Sequence, residues 1–192
     1  MHNVHLFAPN TISIPMTAEG KPTFKLEELA KVNGIKHEAH AALGDVLATI
    51  SLSKMVKERA PDIWQAALVS SSKKQLLQQA EDMPIFCHGK FNIKREPEGS
   101  IYTYMLVNPK MNNELLGFNL KYDPSKYFDL GLDSMEEMVR DTNGPFVLLK
   151  ANESPLLMNS DYISNLHKQP KKEETYLKRA YAIRNNISFK AN

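Results

Sequence analysis

The 192-residue sequence contains a single cysteine, Cys87, so it cannot form an internal disulfide or a disulfide-stabilised secreted domain. It has no apolar stretch near the roughly 18 residues of a membrane span. Its 24 Lys and Arg residues nearly balance 22 Asp and Glu residues, so bulk charge does not argue for a nucleic-acid partner. Residues 1–7 lack the basic region and long apolar core of a secretion signal. We expect a cytoplasmic protein with no membrane contact.

The composition is that of a folded protein. Hydrophobic residues make up 42% of the chain and charged residues 24%, which is typical of soluble globular domains. The length suits one ordinary domain or two small ones. Cys87 ends the apolar run 83–87, and this position favours a buried side chain over a reactive thiol.

The first 60 residues show a helical pattern after an irregular beginning. Residues 1–22 contain three prolines and a glycine that break any regular period, so we predict no helix or strand there. A short helix is expected over residues 24–32, with Thr23 as its N-cap and Asn33-Gly34 at its end. The strongest helical pattern covers residues 41–59 and ends before Pro61.

The remainder of the chain changes from helical to β-rich patterning. Helical periodicity covers residues 62–79, with a break at residues 70–72. Residues 85–91, 101–108, 114–121 and 146–150 have strand composition, and a short acidic helix is expected near 134–140. The tail from residue 161 is helical in pattern and basic. The sequence thus predicts an α+β protein divided into residues 1–60, residues 61–160 and a linker or tail over 161–192.

The residues with the clearest chemical potential are His40 and Asp45, in the run His40-Ala41-Ala42-Leu43-Gly44-Asp45. Metal-assisted phosphodiester hydrolysis requires carboxylates that hold Mg²⁺ and a base that accepts a proton from water. A His before a helix and an Asp one turn inside it can face the same cleft. The alternative is structural: His40 caps the helix, and Asp45 is a solvated first-turn acid favoured by the helix dipole.

The surrounding sequence resembles a known family. Residues 24–35 and 39–50 are similar to the third motif of the DEDDh 3′→5′ exonucleases and, within them, to the exodeoxyribonuclease I family. The likeness continues through residues 54–57 and Pro61, and more weakly through residues 84–91 and 145–157.

This resemblance implies a fold, an activity and roles for individual residues. It implies the C-terminal remnant of a ribonuclease-H-like α/β exonuclease domain, followed by a Src-homology-3-like β-barrel and a link towards a helical domain. The implied activity is 3′→5′ degradation of single-stranded DNA to mononucleotides in DNA repair and recombination. His40 matches the general base, and Asp45 matches the last of four acidic ligands of two Mg²⁺ ions. The resemblance also implies single-stranded-DNA-binding protein as a partner.

The sequence departs from the family pattern at its beginning. The family's first motif is an Asp-x-Glu and its second is another Asp, and both precede the matching segment. Residues 1–39 contain no Asp, and the acids there are Glu19, Glu27, Glu28 and Glu38. We therefore expect a fragment that is inactive alone and lacks the N-terminal half of the nuclease domain. The rival hypothesis is a non-catalytic module that binds single-stranded DNA or a partner's tail, and an unrelated protein with a chance His/Asp pair is a third.

Two surfaces are also expected from the sequence. Basic residues are interleaved with aromatic ones in the β-rich part, a combination that suits single-stranded DNA contacts: Lys90, Lys94, Arg95 and Lys121 with Phe91, Tyr102 and Tyr104. The alternative is a solvated sheet face whose aromatic side chains lie in the core. Separately, the helix at 41–59 has an apolar stripe that no sheet in this chain covers: Leu43, Val46, Leu47, Ile50, Met55 and Val56. We expect it to be exposed and to cause aggregation or dimerisation.

Overall fold

The computed structural model describes residues 1–36, 42–90, 98–107, 113–141, 144–166, 173–186 and 188–189. The chain forms two compact units. The first comprises Met1–Gln65 with Gly89–Glu98, and the second comprises Ala66–His88 with Gly99–Asn192. The domain boundaries given by the sequence patterns remain predictions.

The first unit is built from helices. Helix α1 spans His2–Phe7, α2 spans Leu26–Val32 and α3 spans Ala42–Arg59. Helix α4, Pro61–Ser70, begins in the first unit and ends in the second. The buried apolar side chains of this unit come from all these helices, from the segment between α1 and α2, and from the residue between α3 and α4: Val4, Phe7, Ile12, Leu29, Ala30, Ala48, Leu52, Val56, Ala60 and Ile63.

Helix α1 corrects the prediction that residues 1–22 are irregular. Six residues are too few for a helix that is stable alone, so tertiary contacts hold α1 in place. Val4 and Phe7, one turn apart, are buried, and the ring of His2 lies edge-on to Phe24 at 4.1 Å between centroids. Strand residue Gly89 also packs closely here, since a Cβ at that position would lie 2.6 Å from Leu6 Cδ1. Sequence periodicity does not reveal such contacts.

Helix α2 begins later than predicted and ends where predicted. Its N-cap is Lys25 rather than Thr23, and the helix has no side-chain cap there. The predicted end is confirmed, because Asn33 is the C-cap and Gly34 adopts a positive φ of 69°. The Asn33 amide donates to the Leu29 carbonyl at 2.8 Å and accepts from the Ser13 backbone N–H at 3.0 Å. One side chain thus closes the helix and anchors the preceding segment.

The second unit combines helices with a four-stranded sheet and confirms the predicted α+β class. Helix α5 spans Lys73–Asp82, and the predicted break before it is confirmed by the Ser72 N-cap, whose hydroxyl accepts from Gln75 N–H. The sheet order is β1-β2-β3-β4, with antiparallel β2–β3 and β3–β4 pairs. The strands are Phe86–Lys90, Glu98–Val107, Glu114–Asn119 and Phe146–Lys150, and helix α6, Leu132–Arg140, connects β3 to β4.

The core of the second unit lies between α5 and the sheet. All six residues of β3 are buried, as expected for a strand with neighbours on both sides and cover on both faces. One cluster of buried side chains joins α5 to the strands and to the segment after β4: Leu76, Ala80, Phe86, Tyr102, Leu115, Val147, Leu149, Ala151 and Leu157. This cluster fixes the sheet on which several candidate binding residues lie.

The basic C-terminal region contributes to this unit. After the short helix α7, Ile163–Leu166, helix α8 spans Glu173–Asn185 and buries Tyr176, Ala180 and Ile183. Arg179 donates to the carbonyls of Leu120 and Lys121 at 2.7 and 3.0 Å. Arg184 donates to the carbonyls of Ala80 and Glu81, in the last turn of α5. Two cations of the tail therefore bind backbone oxygens of the second unit. Within the described ranges, no helix is long and apolar enough to cross a membrane.

The environment of Cys87 predicts an unreactive thiol. Its side chain is buried, and burial, together with the charge of Glu173, raises the pKa of the thiol to about 12. At pH 8 we expect the native protein to react with a disulfide reagent more than about 100-fold slower than the protein in guanidinium, since the thiolate is the nucleophile. Cys87→Ser, which has no thiol, is the control for labelling at other residues. Rapid labelling without denaturant would contradict the buried position.

Candidate functional site

Asp45 lies in the first turn of α3 and is half-buried. At the helical period it shares a side of the helix with Ala48 and Leu52, which are both buried. Its backbone carbonyl accepts a hydrogen bond from the Thr49 hydroxyl at 2.8 Å, one turn further along. The carboxylate is therefore on the side of α3 that carries the packed residues of its own unit.

His40, the predicted general base, lies outside the residues that the structure describes, as does His37. The two predicted catalytic side chains are thus not placed together by the structure, and their pairing remains a prediction. The helix that carries Asp45 begins at Ala42, close to the start expected from the sequence.

The described residues do not fit a Mg²⁺ site by themselves. Mg²⁺ requires near-octahedral coordination by oxygen ligands, supplied by carboxylates, water and substrate phosphates. Within the described part of the chain, no group of three or more His, Cys, Asp or Glu side chains is arranged to hold a metal ion. Asp45 supplies at most one carboxylate to such a site. Further ligands would have to come from residues beyond those that the structure describes.

The predicted nucleic-acid strip is only partly described. Lys94 and Arg95 lie outside the described residues, and for Lys90 the backbone in β1 is described but the side chain is not. Lys121 is exposed, and its Nζ lies 4.9 Å from the ring centroid of Tyr122, a cation–π contact. Tyr122 was not among the predicted residues, although the adjacent Lys-Tyr pair in the sequence was a signal that could have identified it.

Tyr102 lies in the core of the second unit. Its side chain is 2% exposed, and its ring stacks on Phe86 with centroids 5.9 Å apart. The neighbouring His88 is also buried, and its Nδ1 lies 2.9 Å from the Leu156 carbonyl oxygen. A ring enclosed in this way offers no open face for a nucleotide base. The burial of Tyr102 favours the alternative in which the aromatic residues of this strip belong to the core.

The predicted exposure of the apolar stripe on α3 is confirmed for its first four residues and is wrong for Val56, which is buried, while Met55 is half-buried. Leu43, Val46, Leu47 and Ile50 are 71%, 54%, 53% and 44% exposed. Large apolar side chains grouped on one helix face are a feature of interaction surfaces rather than of ordinary surface. Aggregation or dimerisation through this face remains a prediction.

Replacing Tyr102 distinguishes a core role from a stacking role. Because the ring is buried, we expect Tyr102→Ala to lower the free energy of unfolding by about 3–5 kcal/mol, measured by urea denaturation. Tyr102→Phe, which keeps the ring, should cost about 1 kcal/mol. A Tyr102→Ala protein with unchanged stability but weaker binding to a single-stranded oligonucleotide would instead assign the ring to DNA.

The sequence is related to part of a family of bacterial nucleases. No protein-family model matches the chain. Exodeoxyribonuclease I of Escherichia coli strain K12 is 31% identical over 143 residues, which are 71% of this chain and 30% of that protein. The Haemophilus influenzae exodeoxyribonuclease I is 41% identical over 69 residues, which are 35% of this chain and 15% of that protein. The matched segments therefore span less than a third of the length of these curated relatives.

Solved structures show the same relationship over the whole chain. Escherichia coli Exonuclease I in complex with a dA16 oligonucleotide matches 100% of this chain and 44% of its own, with a TM-score of 0.73 and 25% identity. An SSB/Exonuclease I structure with an inhibitor matches 100% and 43%, with a TM-score of 0.72 and 25% identity. Exonuclease I from Methylocaldum szegediense, at 20% identity and a TM-score of 0.71, shares the fold. The resemblance indicated by the sequence is confirmed.

Proposed function

Because this chain is related in sequence and fold to part of exodeoxyribonuclease I, we propose that it forms part of a 3′→5′ exodeoxyribonuclease that degrades single-stranded DNA. The observation that carries the proposal is the agreement of the entire chain with Exonuclease I at a TM-score of 0.73. The 31% identity over 143 residues supports it independently. The biological setting of the proposal is DNA repair and recombination.

In this proposal, His40 and Asp45 have separate roles at one phosphodiester. His40 accepts a proton from the water molecule that attacks the 3′-terminal phosphodiester, and Asp45 provides one carboxylate to bound Mg²⁺. The sequence before Asp45 contains no other Asp, and the described residues hold no ready cluster of ligands. The proposal therefore assigns the missing carboxylates to polypeptide outside these 192 residues. The 192-residue chain alone would therefore not hydrolyse the phosphodiester bond.

Partners of the proposed enzyme follow from the relatives. Exonuclease I has been solved with a dA16 oligonucleotide and in an SSB/Exonuclease I structure. These relatives support single-stranded DNA as the substrate and the single-stranded-DNA-binding protein as a docking partner of the proposed enzyme.

The second candidate is a non-catalytic module that binds single-stranded DNA or a protein tail. The exposed Lys121 beside Tyr122 favours it, because a cation next to an aromatic ring suits both phosphates and bases. This module would bind an oligonucleotide without any other polypeptide and without Mg²⁺. The nuclease proposal does not require such binding by the chain alone.

The simplest test is an assay of the purified chain with Mg²⁺ and a 5′-labelled single-stranded oligonucleotide. Since Asp45 alone cannot complete a two-metal site, we expect no shortening above the level of a His40→Ala control. Anisotropy of the same oligonucleotide measures binding in parallel. Shortening from the 3′ end that His40→Ala abolishes would contradict the proposed dependence on further polypeptide.

A chimera tests the roles of His40 and Asp45 directly. In it, the segment of the Escherichia coli enzyme that matches this chain is replaced by the chain itself, so that the rest of the relative supplies the missing acids. We expect Mg²⁺-dependent digestion that His40→Ala or Asp45→Asn reduces by about 100-fold or more.

Asp62→Asn is the matched control for that chimera. Asp62 is also an acid in the first turn of its helix, α4, so its replacement changes the helix-dipole interaction in the same way. We expect it to change the rate less than about twofold, since a dipole contact of this kind contributes only about 0.3–1 kcal/mol to stability. An inactive chimera, or equal effects of the two Asn substitutions, would refute a special role for Asp45.

A further inference from the structure

Helix α3 is apolar on two opposite sides. Ala48, Leu52 and Val56 follow each other at four-residue intervals and are buried in the first unit. The opposite side carries the apolar strip, which we define as Leu43, Val46, Leu47 and Ile50, all of them exposed. Their spacing of three, four and seven residues places them on one face of the helix. The chain therefore uses one apolar side of α3 and leaves the other open.

The apolar strip has a sharp end along the helix. The next positions on the same side are Lys54 and Lys57, both exposed and charged. The strip therefore covers two turns, about 12 Å of helix. Four of the nine large apolar side chains that are exposed in the described part of the chain belong to it. Such a concentration indicates a surface that is normally covered.

A second copy of this chain is a poor fit to the apolar strip. A stable protein–protein interface covers about 800 Å² on each partner. The strip is about 12 Å long on a helix about 10 Å wide, so pairing two strips covers only a small part of that area. A partner that covers the strip must also contact other surface, and it must therefore be larger than one helix face.

The relatives contain polypeptide of the required size. The chain corresponds to 44% of the Exonuclease I structure that it matches over its entire length, so more than half of that protein has no counterpart here. We propose that the apolar strip of α3 docks polypeptide of exodeoxyribonuclease I type that corresponds to this unmatched part. The inference rests on the proposed function and names the surface through which the proposed enzyme is assembled.

Docking and chemistry lie on different sides of α3. Asp45 shares its side with Ala48 and Leu52, opposite the apolar strip. A substitution in the strip therefore changes association without replacing the proposed metal ligand. This separation allows the docking proposal and the functional proposal to fail independently.

The test is co-expression of the tagged full chain with the parts of Escherichia coli exodeoxyribonuclease I that lie outside the match. We expect these parts to co-purify with the chain in a 1:1 complex. Leu47→Asp should reduce the recovered complex at least about tenfold, because a carboxylate would enter an apolar contact. Leu68→Asp is the matched control, since Leu68 is 49% exposed against 53% for Leu47 and lies on α4. Circular dichroism checks that both variants fold as the wild-type chain does.

Each outcome decides the proposal. Absence of a complex with the wild-type chain overturns it, as does a complex that tolerates Leu47→Asp as well as it tolerates Leu68→Asp. Sedimentation of the chain alone as a dimer that Leu47→Asp dissociates would assign the strip to a second copy and also overturn it. A Leu47-dependent complex that does not digest single-stranded DNA would support the docking surface and refute the proposed function instead.

Discussion

Helix α3 imposes the main constraint on this molecule, because a helix that is apolar on two opposite sides must be covered on both. The first unit covers one side with the packing around Ala48 and Leu52, and Leu43 on the other side remains 71% exposed. Exposed leucine on this scale costs free energy that burial would recover, at about 25 cal/mol per Å² of apolar area. Under the docking proposal, further polypeptide that covers the apolar strip would recover this free energy. The same helix carries Asp45, the proposed metal ligand, and the apolar strip through which the chain is proposed to bind further polypeptide.

Most elements could be predicted because their signals are local. The period of α3, the turn chemistry of Asn33-Gly34 and the break at residues 70–72 each involve a few neighbouring residues, and each appears in the structure. Helix α1 could not be predicted, since its six residues are held by contacts with Phe24 and Gly89, far along the chain. The sequence shows the strength of a helical pattern, but it does not show the tertiary packing that stabilises a short helix with a weak pattern.

The sequence indicated a chemistry for the candidate site, and the pairing of His40 with Asp45 stays a prediction. Asp45 stood out because the residues around it resemble the third motif of the DEDDh exonucleases. The basic and aromatic residues interleaved through the β-rich part did not reveal which face of the sheet is open, since a period of two fits either face. Tyr102 faces the core beside Phe86, while Tyr122, just after β3, lies beside the exposed Lys121. Pairing and burial decide between faces, and both depend on residues distant in the chain.

The arrangement of α3 also bears on how such a nuclease is assembled. If the apolar strip is covered by one polypeptide while Asp45 projects from the opposite side, the contact that holds the parts together does not itself complete the metal site. Under the docking proposal, the remaining carboxylates would have to approach the opposite side of α3 at its first turn, where Asp45 lies. If both proposals hold, binding energy from the strip would be used to position the catalytic groups near the first turn of α3. The apolar strip is two turns long and ends before Lys54, so the proposed docking is limited to the N-terminal end of α3.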